Sequence, residues 1–417
     1  MQHCPTIWFV NRFFYPDHSA TSQILSDLAF HLATQGQKIG VITSRGVYDD
    51  PRATLPTFEI VKGVAIHRVA RSRFGRAKLL GRAVDYVGLY AAFAAAAVRL
   101  AKTGDWIVVK TDPPLLSAAI APVAMAKGLR LVNWLQDLYP EIALGLGLKA
   151  LRPFAPMLVA ARNASLSVAA CNVAIGDTMR ERLLRSGASP QRVTAIANWC
   201  DDAAIRPLAA HDNPLREAWG LQDKFVVGYS GNLGRAHEYQ TLIHAAEHLR
   251  AQTEIVFLFI GGGALTSGLK SEVEQRGLSN AFHFLPYQDS SLLPQSLALP
   301  DIHWISLRPE MEGLIVPSKF YGIAAAGRAT IAVADPSGEI GALVERYDCG
   351  QAVAPGDGLG LAELIQRLAG DPERRARMGA NARAMLDSAF SRKSCLERWE
   401  EVFVKHPGSA AGSSCVS

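Results

Sequence analysis

Residues 302–327 read IHWISLRPEMEGLIVPSKFYGIAAAG. Ile302–Ser306 is a short apolar run of strand character, and Glu312–Gly327 is an extended, glycine-containing turn running straight into a helix. Such a junction offers unpaired backbone N–H groups and the positive end of a helix dipole to an anion. Ser318 is the expected N-cap, and Lys319 adds a full positive charge in the first turn. A lysine there opposes the dipole, and a bound phosphate would relieve the conflict. Gly322 falls inside the expected helix, where it costs about 0.5–1 kcal/mol relative to alanine. A close neighbour or a ligand would account for it.

The strand–loop–helix unit recurs in both directions from this stretch. Upstream, Thr6–Val10, Ile39–Thr43, Trp106–Lys110, Leu131–Leu135, Asn172–Ile175 and Val193–Ala197 are short apolar runs. Ser22–Gln35 is an amphipathic helix with Gly36 at its C-cap. The pattern restarts with strands at Phe225–Tyr229, Ile255–Ile260, Ala281–Leu285, Ile302–Ser306 and Thr330–Val333. Helices are expected at His237–Gln252, Leu269–Gly277 and from Gly338. Continuous apolar strands alternating with helices mean parallel sheets covered on both faces. The fold class is therefore α/β, with two tandem doubly wound, Rossmann-like domains. A chain of 417 residues has the length for both. The expected division is 1–200, 201–388, a C-terminal helix over 389–406 packing back on the first domain, and a disordered Gly/Ser/Ala-rich tail over 407–417. Ligand loops belong at the carboxyl ends of the strands, which makes a cleft served by both domains the expected site.

Composition narrows the classes. The net charge of +5 is mild and does not imply nucleic acid. Six scattered cysteines, none in a CxxC pair, argue against a disulfide framework and a zinc site, and fit a reducing compartment. The N-terminus lacks a basic region followed by a long apolar run, so no signal peptide is expected. Tyr86–Val98 (YVGLYAAFAAAAV) is shorter than the ~20 apolar residues a membrane span needs, and reads as an Ala-rich helix. Before it, Arg68, Arg71, Arg73, Arg76, Lys78 and Arg82 form a basic run. It reads as a peripheral contact with anionic lipid, worth about 1 kcal/mol per residue at the surface, with a solvated loop as the plain alternative.

Three loops of the second domain follow strands and invite a ligand. In Ser230–His237 (SGNLGRAH), Gly231 and Gly234 permit close backbone approach, Arg235 carries a fork of donors suited to phosphate, and His237 can donate. A tight turn with an exposed arginine is the plain alternative. Gly261–Gly263 reads as a tight strand-to-helix turn more readily than as a ligand contact. Glu312–Gly327 is the third. In the first domain Asp137 and Glu141 follow a strand. No His/Asp/Cys cluster has metal-ligand spacing, and no DxD triplet occurs.

The order of these parts resembles the retaining glycosyltransferases of family 4, which have the GT-B fold and use nucleotide-sugar donors. The resemblance is carried by Asn11–Ser22, Trp134–Glu141 (WLQDLYPE), Ala197–Asp201 (ANWCD), Ser230–His237, Gly261–Gly263, Phe284–Gln288 (FLPYQ) and Val316–Gly327. It is nearest to the branch that builds bacterial surface polysaccharides and O-antigen, where an amino or deoxy sugar passes to a polyprenyl-linked acceptor. It implies a metal-independent enzyme with no cofactor, whose substrate is a nucleoside-diphosphate sugar, expected to be UDP-linked. The acceptor would be a polyprenyl-diphosphate-linked or saccharide group, and the chain would sit in the cytoplasm at the inner face of the plasma membrane. Asp137 would lie near the acceptor hydroxyl and Glu312 against the donor sugar. The donor would be bound by Gly231, Asn232, Arg235, His237, Tyr287, Gly313, Ser318, Lys319 and Glu339. The family's arginine and lysine on the diphosphate loop fall at Asn232 and His237, which leaves Arg235 and Lys319 to supply the charge. Its second, ribose-gripping glutamate falls at Gly322, with Glu339 as the substitute. Two other functions fit the same fold, a non-hydrolysing nucleotide-sugar 2-epimerase and a non-catalytic nucleotide-sugar-binding protein.

Overall fold

A computed structural model describes residues 4–48, 50, 53–69 and 79–405, with backbone alone for 79–84. The chain folds as two compact units. One runs through Ala197 and takes up the chain again from Leu396, and the other is Asn198–Cys395.

The first unit holds β1 (Ile7–Val10), β2 (Ile39–Thr43), β3 (Phe58–Val61), β4 (Val64–Arg68), β5 (Trp106–Lys110), β6 (Arg130–Leu135), β7 (Cys171–Ala174) and β8 (Val193–Ala195). They form one sheet in the order β3-β4-β2-β1-β5-β6-β7-β8. Its helices are α1 (Ala20–Thr34), α2 (Leu79–Leu100), α3 (Leu116–Lys127), α4 (Glu141–Gly145), α5 (Ala155–Val168) and α6 (Asp177–Arg185). Every residue of β1, β2 and β5 is buried, as strands covered on both faces require. The edge departs from the purely parallel expectation, because β3 pairs antiparallel with β4. That hairpin is absent from the sequence reading, since its outer strand is half exposed and has no continuous apolar run.

The second unit holds β9 (Phe225–Asn232), β10 (Ile255–Gly262), β11 (Phe282–Leu285), β12 (Ile302–Ser306), β13 (Ala329–Val333) and β14 (Gly350–Val353), in the order β11-β10-β9-β12-β13-β14. All its pairings are parallel. Its helices are α7 (Pro214–Ala218), α8 (Gln240–His248), α9 (Thr266–Gln275), α10 (Leu293–Ala298), α11 (Lys319–Ala325), α12 (Glu339–Arg346), α13 (Gly358–Gly370) and α14 (Pro372–Met385). The core is a stack of Tyr229, Phe257, Phe259, Phe282 and Trp304 capped by leucines of α8 and α13. A last helix, α15 (Arg392–Lys405), starts in the second unit and from Leu396 belongs to the first. There Trp399 meets Trp134 of β6 at 4.5 Å, and Phe403 meets Trp106 of β5.

The Ala-rich segment lies within α2, whose Leu89, Phe93, Ala96 and Ala97 enter the first unit's core. Among the described residues no helix is long and apolar enough to cross a membrane. Arg68 does not belong to a surface basic run. Its side chain is buried, ion-paired with Glu59 at 2.5 Å and bonded to the Tyr15 carbonyl at 2.7 Å. Arg71, Arg73, Arg76 and Lys78, the side chain of Arg82 and the tail over 407–417 lie outside the described residues.

Candidate active site

In the second unit the ladder between β9 and β10 continues past the apolar runs, to Gly261↔Gly231 and Gly262↔Asn232. Two backbones this close exclude side chains. A Cβ on Gly261 would stand 2.4 Å from the Gly231 carbonyl oxygen, and one on Gly263 would stand 2.4 Å from the Leu233 carbonyl oxygen. Both glycines also have positive φ, 124° and 137°. The glycine triplet thus serves first to bring two strand-end loops together. The ring of Tyr287 lies against Gly261 and Gly262 and is itself exposed. A pocket of about 240 Å³ opens beside it, lined by Tyr229, Gly231, Gly261, Lys270, Leu285 and Pro286 among others.

Lys319 reaches this loop from the start of α11. Its ammonium donates to the Tyr229 hydroxyl at 2.6 Å and lies 3.4 Å from the Asn232 carbonyl and 3.2 Å from His237 Nε2. Tyr229 in turn donates to the Asn232 carbonyl at 2.8 Å. His237 Nδ1–H donates to the Ser306 carbonyl at 2.6 Å, which leaves Nε2 as the acceptor facing the ammonium. Burial, then the neighbouring lysine, lowers the His237 pKa to about 3, so the imidazole is neutral. Burial also lowers Lys319 to about 7. Among the described residues it has no carboxylate partner. Below that pH the site holds a desolvated cation among neutral groups, without a counter-charge among the described residues.

The loop before α11 is tied to α12. The Glu312 carboxylate accepts the Glu339 N–H at 2.8 Å and stands over Gly338, where a Cβ would come within 2.4 Å of it. Burial raises the Glu312 pKa, with the Glu339 N–H opposing and the Glu339 charge adding. Glu339 itself is buried at the start of α12. Gly313 adopts φ 71°, which turns the chain between Glu312 and the helix.

The structure corrects the expected cap. Ser318 has helical backbone angles, −62° and −20°, and its side chain makes no cap hydrogen bond. The chain enters α11 already wound, so the hydroxyl cannot reach back to the first amides. Gly322 faces Leu297 of α10, whose Cδ1 would meet an added Cβ at 3.4 Å, an ordinary contact, so packing alone does not require a glycine there. Lys319, Asn232, Gly231 and His237 are brought together, whereas the Arg235 side chain is exposed. Tyr229 was missed because a tyrosine ending an apolar strand reads as core, which its ring is.

In the first unit Asp137 follows β6. Burial, then Asp112, raises its pKa to about 6, and Lys110 opposes the rise. Lys110, the last residue of β5, is another residue the sequence reading passed over. The available signal was a charge ending an otherwise apolar strand. Glu141 is taken by Arg162 at 2.6 Å. Among the described residues no group of three or more His, Cys, Asp or Glu side chains is placed to hold a metal ion.

Comparisons with known proteins fit this geometry. Residues 212–385 match the family model of glycosyl transferases group 1. WbjE of Pseudomonas aeruginosa, described as a probable glycosyltransferase, is 25% identical over 330 residues, covering 78% of this chain and 81% of WbjE. WcaI of Escherichia coli (strain K12), described as a putative colanic acid biosynthesis glycosyl transferase, is 29% identical over 230 residues. That match covers 54% of this chain and 56% of WcaI. Anabaena Alr3699/HepE, solved in complex with UDP and glucose, shares the fold at a TM-score of 0.72 and 18% identity, over 96% of this chain and 100% of that one. With two parallel-sheet α/β units and a second unit that matches the group 1 transferases, the chain is a glycosyltransferase of the GT-B fold.

Proposed function

We propose that the enzyme is a retaining, metal-independent transferase that moves a sugar from a UDP-sugar to a lipid-linked or saccharide acceptor in bacterial surface polysaccharide assembly. The observation that carries this reading is the uncompensated Lys319 ammonium at the joined ends of β9 and β10. A donor diphosphate would supply the counter-charge, and as the sugar bond breaks the ammonium would stabilise the departing nucleoside diphosphate. The Gly231 and Asn232 backbone would approach the phosphates, and the base would enter the pocket beside Tyr287. Glu312, aligned by the α12 N-terminus, would receive the donor sugar, with Glu339 beside it for the ribose. Asp137 would orient the acceptor hydroxyl, whose proton would pass to the leaving phosphate as the new glycosidic bond forms. The neighbours WbjE, WcaI and HepE favour a nucleotide-sugar donor and a polysaccharide setting.

The test is turnover by the purified full chain of a panel of nucleotide sugars with a polyprenyl-diphosphate-linked sugar, with and without EDTA. The expected product keeps the donor's anomeric configuration and forms equally well with EDTA. Inversion, or loss of activity to the chelator, removes the mechanism. Interconversion of the donor sugar with no acceptor present would make the protein an epimerase.

A further inference from the structure

β5 ends on Lys110, a fully buried side chain. Its ammonium donates to the Thr21 carbonyl in the first turn of α1 at 2.9 Å. It also lies 3.9 Å from the ring centroid of Trp134, its register partner on β6. Trp134 is buried in turn and backed by Trp399 at 4.5 Å. Asp112 comes two residues after the lysine, and Asp137 three after the tryptophan, so the carboxyl ends of two adjacent strands carry one buried cation and two acids. Packing alone does not explain the lysine. A methionine would fill similar space without the desolvation that lowers Lys110 to about 7.

We propose that Lys110 is a positioning residue of the transfer reaction, which together with Asp112, at the same carboxyl end of two adjacent strands, sets the charge state of Asp137, the carboxyl that meets the acceptor hydroxyl. This rests on the transferase reading above. Lys110 touches no substrate and moves no proton. It favours the carboxylate of Asp137, and Asp112 disfavours it. The other charged and titratable groups nearby are already engaged. Arg162 of α5 holds Glu141, Tyr90 of α2 donates to the Pro114 carbonyl, and the Arg12 guanidinium lies over Phe13 and Tyr86. Lys110 and Asp112 therefore act on Asp137 in opposite directions.

That opposition is the test. In the full chain, Lys110→Met is expected to move the acidic limb of the kcat/KM profile up by about half a pH unit or more. It should lower kcat about tenfold or more, leave the KM for the nucleotide sugar unchanged, and hold or raise Tm at neutral pH. Asp112→Asn should move the limb down. A limb that stays in place in both variants, with activity falling only as Tm falls, makes Lys110 structural and overturns the proposal. If Lys110→Met does not fold, the Asp112→Asn shift decides alone. The Asp137 carboxyl can also be followed by carbon NMR in protein labelled at aspartate, with Asp137→Asn giving the assignment. Opposite shifts of its titration without turnover of any nucleotide sugar would keep the cluster and remove the reaction. Unmoved titration with turnover intact would remove the cluster and keep the reaction.

Discussion

Lys319 shows how one residue changes meaning between sequence and structure. In the sequence it is a charge at a helix start, unfavourable there without an anion. In the fold its ammonium meets Tyr229, Asn232 and His237 instead, and burial lowers its pKa from 10.5 to about 7. Between those values the unfolded chain binds a proton that the native chain does not, so this group makes stability rise with pH from about 7 upward. UDP binding requires the ammonium and should take that proton back. Calorimetry at pH 8.5 in two buffers of different ionisation enthalpy is expected to show uptake of close to one proton per UDP. Lys319→Met should abolish the uptake and weaken UDP by about 2 kcal/mol, roughly thirtyfold. Wild-type binding with no proton uptake would place the phosphates elsewhere. The sequence supplied both candidate cations, Arg235 and Lys319. Only the fold shows that Lys319 reaches the Gly231–His237 backbone, because the two stretches lie far apart in the chain and meet across neighbouring strands.

Among the elements, β9 and β10 carry the donor loops through backbone contact rather than side chains. Gly261→Ala puts a Cβ against the Gly231 carbonyl at a φ of 124°, and neither strand can yield without breaking the ladder. A loss of about 2–3 kcal/mol in urea unfolding is expected. A variant as stable as wild type would show that the loops do not hold this approach. The sequence reading favoured a turn for the triplet and left a ligand contact open. It stayed open because glycine reports that a side chain is missing without saying what takes its place. The same holds at Gly338, where the neighbour is the Glu312 carboxylate, the flexible end of a side chain. Gly338→Ala should therefore cost less than about 1 kcal/mol while pushing Glu312 off the Glu339 N–H. Turnover should fall with thermal stability nearly unchanged, and full turnover would take Glu312 out of the site.

At the scale of the whole molecule, α15 passes from the second unit to the first and closes the core of the first with Trp399 and Phe403. Trp399→Ala removes a fully buried indole from the back of Trp134. A cost of about 3–5 kcal/mol is expected. Hydrogen exchange should show it as lost protection in β5 and β6, with β9 and β10 unaffected, and equal loss in both units would mean that they unfold as one. Apart from β4, the inner strands of both sheets were readable in advance, and the edge strand β14 was not. Runs such as IGVIT and WIVVK are apolar at nearly every position, the pattern of a strand covered on both faces. The edge hairpin β3–β4 escaped notice because half-exposed strands carry no such run. The sequence by itself thus determined the two α/β units, the positions of their strand-end loops and the residues available for chemistry, since periodicity and glycine placement are local properties. Tertiary structure alone decided which of those residues meet, with Lys319 on the β9 loop, Glu312 over α12 and Lys110 beside Trp134. It also decided their charge, because desolvation and neighbouring groups exist only once the strands lie side by side.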